Sequence, residues 1–179
     1  WEEGSAKKLA FEWGPGTLFA IPLNTWHRVI NASSSPALLL SATTAPNIMN
    51  LLRDPQVIFN TSFNFKTRFD SEDKYFKPSE DIHADPVRGL AMLNSNVIPD
   101  IVNCELPLDN RRAFGFRRIE PHMAYANFYM KIGYYPSGQY SKAHKHTSGA
   151  VLCCIKGKGY SYTWPDRLGM HPWENGRGD

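Results

Sequence analysis

Apolar residues recur along most of the chain at alternate positions or in short unbroken runs, the two patterns that mark β-strands. They predict strands over Ala6–Trp13, Thr17–Ile21, Trp26–Asn31 and Ala37–Ala42, then over Ala113–Glu120, Ala126–Tyr135, Ala150–Lys156 and Gly159–Trp164. Leu18–Ile21 and Val151–Ile155 are continuously apolar, as strands buried on both faces would be. Helical spacing is sparse: Ala45–Leu52 after Thr44 reads as one or two turns stopped near Pro55. Phe59–Phe69 alternates aromatic and polar residues and should lie over something apolar. Asp70–Pro86 is charged, carries two prolines and reads as an exposed connection between two strand-rich segments. The expected fold class is all-β, a barrel or sandwich.

Composition agrees with many short strands joined by turns. Gly and Pro number thirteen each and aromatics are 13% of the chain. With 42% apolar and 21% charged residues, a wholly disordered chain is excluded. The formal charge of +3 is too small and too scattered for a nucleic-acid partner. The longest apolar run, residues 150–155, is far short of the roughly 18–20 residues that span a bilayer, so no membrane partner is expected. Three cysteines, two of them adjacent, do not form a disulfide framework. A reducing, cytoplasmic setting is expected.

The candidate chemistry sits in Gly138-Gln-Tyr-Ser-Lys-Ala-His144-Lys-His146-Thr-Ser-Gly-Ala150-Val-Leu-Cys-Cys-Ile-Lys-Gly157. On a strand His144 and His146 project from one face, which suits two adjacent positions around a metal ion. The competing reading is a pair of solvated histidines on an edge strand. If position 150 points inward, Leu152 and Cys154 do so too, while Val151, Cys153 and Ile155 point outward. Tyr160, Tyr162 and Trp164 share one face of the next strand and would wall an aromatic-binding cavity or simply fill a core.

The spacing resembles the first motif of the cupin superfamily: Gly, five residues, His-x-His, three or four residues, Glu, six residues, Gly. Ala150 occupies the place of the metal-binding glutamate. Gly16-Thr-Leu-Phe-Ala-Ile-Pro22-Leu-Asn24-Thr-Trp-His27-Arg-Val-Ile-Asn31 resembles the second cupin motif, with Asn24 at its second glycine. Asn is the usual substitute for Gly where φ is positive. The resemblance implies a cupin barrel, the jelly-roll-like double-stranded β-helix.

The late motif comes first and the early motif about a hundred residues later. This order, with both chain ends inside expected cupin elements, implies the central piece of a bicupin. Residues 1–53 would close an N-terminal barrel, 54–88 would be an irregular linker, and 89–179 would open a C-terminal barrel. His27 would then belong to a separate site. The rival arrangement is a circularly permuted single cupin whose His27, His144 and His146 share one ion.

His-x-His-Thr followed by Ala at the glutamate place resembles gentisate 1,2-dioxygenases and related salicylate dioxygenases. That resemblance implies a divalent metal, Fe(II) ahead of Mn, Ni or Zn, and a ring-cleaving dioxygenase acting on an aromatic hydroxy-acid. The substrate pocket would include Ala150, Leu152, Cys154, Tyr160 and Tyr162. The alternatives are a cupin with a binding or structural role and no oxygenase activity, and a metal-dependent lyase or isomerase. A small-molecule substrate is the expected partner, and a homo-oligomer is compatible with the chain. Arg117 and Arg118 read as a solvent-facing pair, or else as a guanidinium source for a substrate carboxylate. His83, His122 and His171 are assigned no role.

Overall fold

Six short strands form two sheets, and two helices stand beside them. The computed structural model describes Trp1 and residues 4–169. The elements run β1 (Leu18–Phe19), α1 (Ala45–Leu52), α2 (Pro55–Asn60), β2 (Ile82–Ala84), β3 (Ala91–Asn94), β4 (Val97–Ile98), β5 (Arg117–His122) and β6 (Ile132–Tyr134), with a 3-10 turn at Asp166–Leu168. β1 and β4 pair antiparallel, with Leu18 opposite Ile98. The larger sheet has the order β2-β3-β5-β6, with β3 and β5 parallel and the outer pairs antiparallel.

The all-β expectation is therefore corrected. The fold is mixed, and no closed barrel forms among the described residues. The reason is missing strand partners. Trp26–Asn31, Ala37–Ala42, Ala150–Lys156 and Gly159–Trp164 carry strand-like patterns but form no ladder. A strand needs a neighbour for its backbone groups and a surface for its apolar face. Their apolar side chains find little surface to cover: Leu38 is 100% exposed and Leu152 87%. The chain presents 14,231 Å² to solvent. A compact protein of 20.3 kDa would present roughly 8,800 Å².

The ordered part is held by one apolar cluster. Leu93 (β3), Ile98 (β4), Ile119 (β5) and Met123 are buried together, and Leu18 (β1), Ile82 (β2) and Ile132 (β6) pack against them. Every strand contributes a side chain, so this cluster joins the two sheets.

α1 has the bounds that the sequence predicts. Pro46 suits its first turn and Arg53 ends it with φ +53°. Asp54 then accepts a hydrogen bond from the Gln56 amide at 2.8 Å and caps α2, a helix that begins at Pro55. Neither helix buries a residue. The stretch 70–86, expected to be exposed, instead carries β2 and buries Ser71 and Tyr75.

The β2–β3 hairpin turns at Asp85–Leu90. The Asp85 carboxylate accepts hydrogen bonds from the Val87 and Arg88 amides and from the Arg88 guanidinium. Gly89 supplies the left-handed residue of that turn, at φ +62°.

Candidate functional site

Two regions are candidates for a functional site: the predicted histidine motif, and an ion network on β5 that is not among the sequence-based expectations. The His-x-His segment follows β6 through a turn closed by the Gln139 amide on the Pro136 carbonyl. The Lys142 amide on the Arg112 carbonyl, at 3.1 Å, anchors it to the loop before β5. His144 and His146 are exposed and lie outside any strand, with ring centroids 6.0 Å apart and planes inclined by 40°.

Each ring is tethered. His144 Nδ1 lies 2.9 Å from the Lys142 carbonyl, and His146 Nδ1 lies 2.6 Å from the Ser148 carbonyl. His27 is likewise exposed, its Nδ1 3.2 Å from the Thr25 carbonyl. A carbonyl only accepts, so in the neutral form of each ring this contact puts the proton on Nδ1 and leaves the lone pair on Nε2. Tethering of this kind fixes the tautomer in metal-ligating histidines.

The residues expected to wall a pocket do not enclose one. Ala150, Leu152, Cys154, Tyr160 and Tyr162 are all exposed. Tyr160 and Tyr162 do share a side, their rings 5.3 Å apart. No group of three or more His, Cys, Asp or Glu side chains among the described residues is placed to hold a metal ion. His27 therefore does not join His144 and His146 around one point. His171 lies outside the described residues.

Arg117 and Arg118 are not a solvent-facing pair. Strand alternation on β5 leaves Arg117 exposed and turns Arg118 and Glu120 to one buried face. Arg118 Nε stands 2.7 Å from Asp109 Oδ2, and its Nη2 is 3.7 Å from Glu120 Oε1. Glu120 also meets Arg88 from the hairpin turn at 2.9 Å, and it accepts a short hydrogen bond from the Tyr129 hydroxyl. Arg88 donates to the same hydroxyl at 2.9 Å. Arg111 Nε completes the set, 2.7 Å from Asp109 Oδ1. Three guanidiniums thus face Asp85, Asp109 and Glu120.

These contacts shift the groups involved. Burial raises the Tyr129 hydroxyl pKa, helped by its hydrogen bond to Glu120 and by that carboxylate's charge. Burial would raise Asp109, but hydrogen bonds from Arg111 and the nearby Arg118 charge outweigh it and hold the carboxyl below its ordinary value. The Arg88 guanidinium holds Asp85 down to about 2, from an ordinary value of 3.8. A carboxyl with a depressed folded-state pKa stabilises the fold above its unfolded pKa and loses that contribution as pH falls. The hairpin should therefore be insensitive to pH above about 4 and loosen between about pH 4 and pH 2. Amide NMR signals of residues 85–90, followed through an acid titration, check this. Asp85→Asn should remove the low-pH limb of that titration; an unchanged limb would refute the assignment.

No protein-family model, curated protein or solved structure matches this chain. No helix among the described residues is long and apolar enough to cross a membrane.

The signal for the β5 network was present in the sequence. Arg118-Ile119-Glu120 alternates charge, apolar residue and charge, the pattern of a strand carrying a paired ionic face. Asp85-Pro-Val-Arg88-Gly89 spells a turn with a built-in ion pair.

Proposed function

We propose that His144 and His146 hold a divalent metal, ferrous iron, and that the protein is a non-haem oxygenase acting on an aromatic hydroxy-acid. The observation that carries this reading is the shared tether: each Nδ1 sits on a backbone carbonyl, so each Nε2 is available as a donor. Two imidazoles bound to one ion at ~2.1 Å place their ring centroids on the order of 5 Å apart. The observed centroids are 6.0 Å apart.

The donor set fits the metal in kind. Neutral imidazole suits iron, and Ala150 adds no charge beside the pair. A ferrous ion with vacant positions supplies the redox chemistry that dioxygen activation requires. The protein's own part is to present two neutral nitrogens at a set spacing. Gly138 and Gly157 adopt positive φ at the ends of this motif, as Gly16 and Asn24 do in the segment around His27, and these turns aim the segments that carry the histidines.

Anaerobic titration with Co(II) as a spectroscopic stand-in tests the reading. The parent protein should show a saturable ligand-field spectrum, and His144→Ala or His146→Ala should each weaken binding by at least roughly tenfold. Oxygen uptake with gentisate or salicylate by the iron-loaded protein tests the substrate class. Equal Co(II) affinity in the parent and the double variant would overturn the assignment.

A further inference from the structure

A second site lies beside the β5 network. A cleft of about 280 Å³ opens between the β2–β3 hairpin and the segment leading into β5. Ile82 and Ala91 form one wall, Pro107 and Leu108 the other, and Asp109, Arg111 and Arg118 line its polar end. We infer that this cleft binds a small organic monocarboxylate, with the Arg118 and Arg111 guanidiniums receiving the carboxylate and the apolar walls taking its body.

Three observations carry the inference. The first is an unmet hydrogen-bonding demand. Arg118 is only 6% exposed, yet its buried Nε has no hydrogen-bond partner among the described residues. Its 2.7 Å contact with Asp109 is an ion pair without hydrogen-bond alignment, and both atoms of that contact are buried and otherwise unpartnered. A buried guanidinium with idle donors is costly, and a carboxylate matches its fork.

The second is charge. Two guanidiniums and one carboxylate line the polar end, and Glu120, which does not line the cleft, lies 3.7 Å from Arg118 Nη2. Asp109 Oδ1 is held by Arg111 Nε at 2.7 Å and also faces the Arg111 amide at 3.3 Å, and Oδ2 lies 2.7 Å from Arg118 Nε, so a ligand carboxylate would be received by the guanidinium nitrogens that Asp109 leaves open.

The third is size and lining. A volume of about 280 Å³ lies just below the roughly 300–1,000 Å³ of sites for drug-sized ligands, which suits an acid with a single ring. None of His27, His144 and His146 lines the cleft, so the inference stands apart from the metal reading.

Calorimetric titration of the whole protein with benzoate tests it, with benzamide as the uncharged isostere and inorganic phosphate as an oxyanion without an apolar body. Benzoate should bind saturably, and at least tenfold tighter than either control. Arg118→Met should weaken benzoate at least tenfold. Because Arg118 also supports the fold, Leu108→Trp is the second variant: Leu108 is solvent-exposed and outside the ion network, and an indole there would fill the cleft and abolish binding. The absence of saturable benzoate binding would overturn the inference. So would equal affinity for benzoate in the parent and Leu108→Trp, or phosphate binding as tightly as benzoate.

Discussion

Replacing Glu120 with Ala is expected to lower the unfolding free energy by about 3–5 kcal/mol, the cost typical of removing one partner from a buried ionic network. Glu120 is 1% exposed and meets Arg88, Arg118 and the Tyr129 hydroxyl. Its loss leaves Arg118 buried with Asp109 as its only counter-charge. It also removes the Arg88–Glu120 link between the hairpin turn and β5, leaving the β3–β5 ladder to join them. Glu120→Gln keeps the side-chain shape and an acceptor for Tyr129 but removes the charge, so it should fall between Ala and the parent. Urea unfolding followed by circular dichroism measures the series. A loss below about 1 kcal/mol for Glu120→Ala would mean that the network is too well solvated to matter.

Ile119→Ala should cost about 2–5 kcal/mol, and Ile119→Val only about 0.5–1.5 kcal/mol, by the usual cost of emptying buried volume. Ile119 is 1% exposed and lies on the opposite face of β5 from Glu120. It belongs to the one cluster that draws on all six strands, so the cavity would open where the two sheets meet. Chemical denaturation gives both values. An alanine variant no less stable than the valine variant would show that the site collapses around the smaller side chain, and that the cluster is not the joint between sheets. The two substitutions probe adjacent residues with opposite chemistry, and their effects should be compared singly because neighbours couple.

Local features were legible in the sequence wherever the cause was local. The α1 helix, Ala45–Leu52, follows from Pro46 near its start and the Arg53-Asp54-Pro55 break at its end. The positive φ at Asn24 follows from that residue's tolerance of the left-handed region. Leu18–Phe19 forms within a predicted strand, and β5 overlaps another, displaced toward His122 by pairing with β3 and β6.

β2 and β3 escaped notice because neither pattern is long. Three- and four-residue strands form here because Asp85 and Arg88 build the turn between them and the β5 strand accepts β3 alongside. The stretches 37–42 and 150–156 show the converse. Their composition is strongly β-prone, yet apolar pattern alone forms no ladder without a neighbouring strand.

For the histidines, the sequence determined residue type and spacing, and with them the pairing of His144 and His146 six ångströms apart. The tethers to Lys142, Ser148 and Thr25 are contacts within two residues, so they too follow from local chain path. The alternation Arg118-Ile119-Glu120 and the Asp85–Arg88 turn are local signals, but the cleft and the joining of those charges into one network were decided by tertiary structure. Asp85, Arg88, Asp109, Arg118, Glu120 and Tyr129 are scattered over more than forty residues, and only the parallel β3–β5 pairing and the hairpin turn bring their charges together. An arginine beside an arginine looks solvated in a sequence. It is buried here because alternation on β5 turns it away from its neighbour and toward two carboxylates, whose charges offset the cost of removing it from water.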